Sequence, residues 1–402
     1  MEIGWIDFSD TDRKKALNVI ALLNDEGAVD EIGIGIVRDA FADRFFPGTS
    51  TIQTRAKYFF IVPYAIKKAL QIKSLENYKL VLSEIENNIE KDCAKKLKKS
   101  TNEREGVIGA RSLPKSWVSR KPSSIYWNGL KTFGIFTKQH LSLAEYIHLE
   151  LENRKKFANQ NTKSKNKTDN DASDFDDDDA GKERSATFWN LPEYDEQNWM
   201  KELKINLTKA EAGHLRKMIS ENLQGSLFKF LLDNNIKLKE NAPFESVFEQ
   251  IFDKLSPENQ ELVRLANLFN ILVCLCRTRY NIILLGENSF GLKDKWDGYF
   301  QRVQELENLD IEHLFKTLKL PVSGTTIFLD NAKRLLLENN IQDLDYEIIK
   351  RERNLKGEKR AKLLNKNSYT EPVAQYELDY RLKTAIKILN DIYQGEEYQE
   401  NV

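Results

Sequence analysis

From Ala158 to Arg184 the chain is almost wholly Lys, Asn, Ser, Thr and Asp, with Phe175 its single large apolar side chain. Such a stretch cannot bury enough surface to offset its ordering entropy, so every core must come from the residues on either side. Its charge is segregated: Lys163, Lys165 and Lys167 precede Asp169, Asp171, Asp174 and the run Asp176 to Asp179. We read 158–184 as a disordered, solvated Lys/Asp-rich linker between a helical domain at 1–157 and a second helical domain at 185–402. At about 150 residues per domain, a chain of 402 residues suits two or three. The acidic run also admits a sharper role, imitating a phosphate backbone in a basic groove until nucleic acid displaces it.

The three cysteines, Cys93, Cys274 and Cys276, lack the spacing of a secreted disulfide framework, which points to reduced thiols and a cytoplasmic location. Cys274 and Cys276 sit one residue apart in an apolar run. None of the four histidines falls in a metal-binding spacing, so no metal or other cofactor is expected. The N-terminal Met-Glu-Ile-Gly-Trp-Ile-Asp is acidic where a signal peptide needs a basic flank and an apolar stretch. Leu265 to Cys276 is the most apolar run. It contains Asn267 and Asn270, is bounded by arginines, and falls short of the roughly 18 to 20 residues of a bilayer span, so it reads as a core helix with no membrane partner.

Elsewhere the apolar spacing is helical. Helices are expected at Asp12 to Leu23 and Ile34 to Phe46, followed by a Pro-Gly turn. Ser50 or Thr51 then caps a third helix burying Ile52, Ala56, Phe59 and Phe60, with Thr54, Arg55 and Tyr58 facing outward. Helix, turn and helix with a polar outer face is the outline of a helix-turn-helix. Beyond the linker, Thr208 and Glu211 form a capping box and Phe244 to Leu255 a buried stripe. Ser256-Pro257 opens a long helix to about Leu285. Further helices fit Asp294 to Leu309, Thr325 to Asn339, Leu344 to Leu355 and Tyr376 to Gln394, the last stopped by Gly395. The fold class is all-α, with helix-turn-helix or winged-helix-like units in the first half and room for a small β wing near Ile108 and Ile135.

Net charge is −1, so the distribution is what informs. Gly106 to Lys138 holds Arg111, Lys115, Arg120, Lys121, Lys131 and Lys138 and no Asp or Glu. Trp117, Tyr126, Trp127 and Phe133 are interleaved with serines there, the donors and flat faces that phosphates and bases accept. Pro122 to Gly134 has the punctuation of a helix and resembles a shortened winged-helix recognition helix. A packed helix with solvated lysines would read the same way. Lys350 to Lys366 is a second basic concentration, where Arg351, Arg353, Lys356 and Arg360 suit phosphate contacts or a helix C-terminal end. The candidate DNA contacts are Thr54, Arg55, Arg111, Lys115, Arg120, Lys121, Lys131, Arg351, Arg353, Lys356 and Arg360.

For catalysis the sequence offers little. There is no phosphate loop, no His-Glu-x-x-His and no nucleophile elbow. Ile32-Gly33-Ile34-Gly35-Ile36 lacks a dinucleotide fold's third glycine. Asp7, Asp39 and Asp43 could gather a magnesium ion as in nucleases, although Arg38 and Arg44 beside them favour ion pairs. Whether the chain is an enzyme is left open, with the balance against it.

The segments Gly4-Trp5-Ile6-Asp7-Phe8-Ser9, Asp30 to Gly35, Arg38 to Asp43 and Phe46 to Phe59 resemble a bacterial family known only as a domain of unknown function. Arg351-Glu352-Arg353, Leu355-Lys356-Gly357 and Leu378 to Arg381 resemble its C-terminal end, so the likeness covers nearly the whole chain. Members occur in antiphage defence neighbourhoods near helicases and phospholipase-D-like nucleases, and the resemblance implies such protein partners. It brings no catalytic residues. The expectation is a DNA-binding or adaptor subunit of a defence complex, homo-oligomeric assembly remaining open. The alternatives are a protein-only scaffold and a metal-dependent nuclease.

Overall fold

The computed structural model describes residues 30–100, 106–164, 188–201 and 203–397, with backbone alone at 157–164. In chain order the α-helices are α1 Gly35–Phe45, α2 Tyr58–Gln71, α3 Tyr78–Ser83, α4 Glu90–Ser100, α5 Pro122–Thr132, α6 Leu143–Ser164, α7 Lys209–Asn222, α8 Leu227–Asp233, α9 Phe244–Ile251, α10 Pro257–Leu285, α11 Leu292–Phe300, α12 Ile311–Thr317, α13 Gly324–Leu337, α14 Ile341–Lys356 and α15 Leu382–Glu397. A π-helical stretch, Glu84–Ile89, joins α3 to α4. The single β feature among the described residues is an isolated bridge between Phe136 and Trp189, so the all-α class holds and no wing is built there.

The helices group into two compact units, each assembled from separated stretches: 1–41 with 256–378, and 42–255 with 379–402. They are not the halves expected on either side of a linker. Of that segment, 158–164 is helical backbone in α6, and the rest of 158–184 lies outside the described residues.

The first unit is organised on α10. Ser256 accepts the Asn259 N–H and Pro257 occupies the first turn, as the sequence required. α10 runs 29 residues to Leu285, as expected; contrary to the reading of its apolar run, its length and composition would suit a membrane span, and most of its apolar window is buried. Two of its buried amides fix an irregular return. Asn270 accepts the Leu378 N–H, and Asn281 both accepts from and donates to Val373.

The second unit is organised on α7 and α15. The Thr208–Glu211 capping box is present at the start of α7, and Glu211 also receives Lys57 Nζ in a buried ion pair. Gly395 does not end the last helix; it lies inside α15. A Cβ there would come within 2.8 Å of Ala212 Cβ and 2.9 Å of Leu207 Cβ, so the missing side chain is what lets α15 lie against α7. The start of that helix also differs. Tyr380 and Arg381 take positive φ angles, and the helix begins at Leu382 rather than near Tyr376.

The expected helix-turn-helix differs most. Neither Ser50 nor Thr51 caps α2, which starts at Tyr58; the intervening turn is tied by Gln53, which accepts the Ser50 N–H and donates to Gly48 O. Ile52 is exposed, whereas Tyr58 to Ile66 are buried without interruption. Around this helix are too many apolar neighbours for the polar outer face that a groove-reading helix requires. The expected helix at Asp12 to Leu23 lies outside the described residues.

Candidate nucleic-acid interface

The acid-free segment forms, in the second unit, a looped strap at 106–121 that leads into α5. Successive turns fold it, Leu113 N–H and Ser112 N–H both reaching Gly109 O. Its apolar side chains Val107, Ile108, Ala110 and Leu113 face inward and are buried. Four long-range hydrogen bonds pin it: Ile108 N–H to Tyr58 Oη at 2.8 Å, Thr54 Oγ1 to Gly106 O at 2.7 Å, Trp117 Nε1 to Glu86 O at 2.7 Å, and Lys98 Nζ to Leu113 O. Gly109 has φ near +82°, and a Cβ there would collide with the Trp117 ring, so glycine serves both the turn and the close approach. At the strap's end, Ser123 N–H donates to Glu90 Oε1 at 2.7 Å and joins α5 to α4.

With the apolar side chains fastened inward, the strap turns its cations out. Arg111, Lys115 and Arg120 are exposed, and none has an ion pair or side-chain hydrogen bond among the described residues. Ser116, Ser119 and Ser124 are exposed beside them. The helix that holds the strap adds more positive charge: α4 buries Cys93, Ala94 and Leu97 and leaves Lys95, Lys96 and Lys99 exposed. Lys95 meets Asp92 at 2.8 Å and Lys96 donates to Met200 O. Burial pushes the Glu90 carboxyl well above its ordinary value and raises that of Glu86.

The other expected contacts are placed differently. Lys121 is half-buried, its ammonium donating to Val118 O and standing 5.5 Å from the Trp117 ring centroid. Lys131 is half-buried in the last turn of α5. Arg55 turns inward, where Asp391 takes its Nε at 2.9 Å and Asn206 its Nη2. Thr54 is committed too, its hydroxyl to Gly106 and its N–H to Tyr126 Oη. Tyr126, Leu130 and Phe133 form the apolar triad read from the sequence, all fully buried, and Trp127 is buried with them. Thus α5 is a packed helix, not one with a face free for a groove.

The second basic concentration belongs to the first unit and is partly spent on structure. Arg351 is half-buried, donating to Ile32 O and to Thr325 Oγ1 at 2.7 Å. Burial lowers its pKa. Lys356 lies 3.4 Å from the fully buried Glu352 and 3.5 Å from Glu31. Arg353 and Arg360 are exposed, with Arg360 Nε donating to Lys356 O. Cations in the last turn of α14 meet the negative end of its dipole, which accounts for Arg353 and Lys356 without a ligand.

Asp39 pairs with Arg38 at 3.0 Å and Asp43 with Arg381 at 2.6 Å, while Asp7 lies outside the described residues. Among the described residues no three His, Cys, Asp or Glu side chains gather as metal ligands. The lysines of α4 were not among the expected contacts. Lys91, Lys95, Lys96, Lys98 and Lys99 ring an apolar strip of helical period, but Glu84, Glu86, Glu90 and Asp92 on one side and Glu103 and Glu105 on the other balance their charge along the sequence.

A family model described only as a family of unknown function matches residues 1–290. No curated protein and no solved structure matches the chain.

Proposed function

The chain belongs to that family of unknown function (DUF6361), which carries no activity to transfer, and we propose that it works as a DNA-contacting adaptor subunit. The observation that supports this reading is the strap at 106–121. It is pinned at four points by hydrogen bonds, yet leaves Arg111, Lys115 and Arg120 exposed and unpaired among the described residues. Ordering a cation-rich loop this firmly lowers the entropy lost when a polyanion docks. The adaptor part of the proposal draws on the first unit, where Val322, Ile327, Tyr346 and Tyr376 are large apolar side chains with 62–84% of their surface exposed. Such side chains suit contact with another protein, and the family resemblance suggests a helicase or nuclease of a defence system.

Fluorescence anisotropy with a labelled duplex tests the DNA contact. Each phosphate neutralised contributes about 0.9 to the slope of log affinity against log salt, so replacing all three cations by alanine lowers that slope by about 2 to 3 and weakens binding. No binding by the wild-type protein at low salt, or an unchanged slope in the triple variant, would remove the proposal. A pull-down from nuclease-treated extract at high salt tests the adaptor role; loss of every captured protein under those conditions counts against it.

A further inference from the structure

We infer that this surface recognises the phosphate backbone alone, binding polyanionic strands without reading or stacking on their bases. The inference rests on the DNA-contacting reading above and narrows it to a ligand class. Proteins that grip single strands pair a basic track with exposed rings, and base stacking on such a ring is worth about five- to a hundredfold in affinity per base. The sequence interleaves four rings with the cations of 106–133, and the fold buries three of them and engages the fourth. Tyr126 and Phe133 have no exposed surface and Trp127 retains 8%. Trp117 is half-buried and occupied: Gly109 packs against its six-membered ring, Lys121 stands over it, and its N–H is donated to Glu86 O. On the exposed side of α4 there are only lysines, an aspartate and a serine.

What remains outward on the strap is the Pro114 ring with guanidinium, ammonium and hydroxyl groups that donate to phosphate oxygens, and α4 adds lysine ammoniums with one carboxylate, Asp92, paired to Lys95. Arg111 and Lys115 are four residues apart in a turn held by consecutive backbone hydrogen bonds, so both are presented from a fixed frame. Groove reading by an inserted helix is not offered either, since α5 is packed through Tyr126, Trp127, Leu130 and Phe133. The ligand class is therefore a regularly spaced polyphosphate, whether duplex, single strand or inorganic chain.

The test is competition against a labelled single strand bound to the full-length protein. The competitors are the unlabelled strand, an abasic strand of equal phosphate number, two duplexes of unrelated sequence, and inorganic polyphosphate of matched charge. Abasic strand within about threefold of the normal strand, the two duplexes within about threefold of each other, and measurable displacement by polyphosphate are expected. An abasic strand weaker by about tenfold or more, or a tenfold preference between duplexes, overturns the inference while leaving DNA contact intact. Failure of every nucleic acid to bind overturns the parent reading instead. Trp117→Phe supplies a second arm: the inference expects affinity within about twofold, and a tenfold loss in a variant with wild-type melting behaviour overturns it.

Discussion

Glu90 Oε1 accepts the Ser123 N–H, while Oε2 and the Ser123 hydroxyl are buried without a hydrogen bond of good geometry. Burial is the main cause that raises the carboxyl's pKa, with Glu86 adding to it and Ser123 and Lys121 opposing. The folded state thus holds this proton more tightly than the unfolded chain does. The stability it contributes is complete below the unfolded carboxyl's pKa and is lost as pH rises through the raised folded value. Glu90→Gln keeps an acceptor for Ser123 and removes the charge. Thermal melts across pH should show the variant more stable than wild type by about 1 to 2 kcal/mol at neutral pH, with the gap closing toward pH 4. A gap that does not change with pH contradicts this account. Asp391 behaves differently on mutation because its partner is present. Burial raises its pKa against the pull of Arg55, whose guanidinium it binds at 2.8 Å while accepting the Ala56 N–H at 2.7 Å. Arg55→Ala leaves that carboxylate buried and alone, and should cost about 3 to 5 kcal/mol in urea denaturation. In conditions where the variant stays folded, its DNA affinity should match wild type, because Arg55 is no part of the exposed strap.

At the scale of elements, α15 shows how a close approach overrides helix propensity. Alanine favours a helix over glycine by about 1 kcal/mol. Gly395→Ala nevertheless should destabilise by about 1 to 3 kcal/mol, since the new methyl meets Ala212 and Leu207 inside contact distance. Chemical denaturation measures it, and a stabilised variant would show that the helices can move apart freely. The same residue marks where sequence reading runs out. Caps at Thr208 and Ser256 and the stripe at Phe244, Val247, Phe248 and Ile251 were legible, because each depends only on neighbours within a few residues. Gly395 looked like a stop for the same local reason, and only α7, nearly two hundred residues earlier, makes it an interior contact. Arg55 failed similarly. Its outward placement assumed a helix starting at Ser50 or Thr51, whereas Gln53 ties a turn and Asp391 claims the guanidinium. Arg111, Lys115 and Arg120 were legible as cations without acids, but the fate of the rings among them depended on packing that no periodicity encodes.

For the whole molecule, the discontinuous units decide how the chain can be divided. Residues 42–255 share a compact unit with 379–402, and α15 packs on α7 within it. A fragment ending at residue 157 would lack α7, α8, α9 and α15, and should give no cooperative thermal transition by circular dichroism. A sharp melt of that fragment would mean that the acid-free strap and its neighbours form a self-sufficient core. The first unit is equally dependent, because Asp30 accepts the N–H groups of Ile32, Gly33 and Ile34 in a loop that Arg351 then holds from α14.

This interleaving has a temporal side. Leu255 and Asp379 belong to one unit but are separated by the length of another, and ribosomes add about 5 to 20 residues each second. The surface of α7 that receives α15 is therefore synthesised on the order of ten seconds before its cover. During that wait Leu207, Ala212 and their apolar neighbours face solvent, and a holdase that recognises greasy helices would have its best opportunity there.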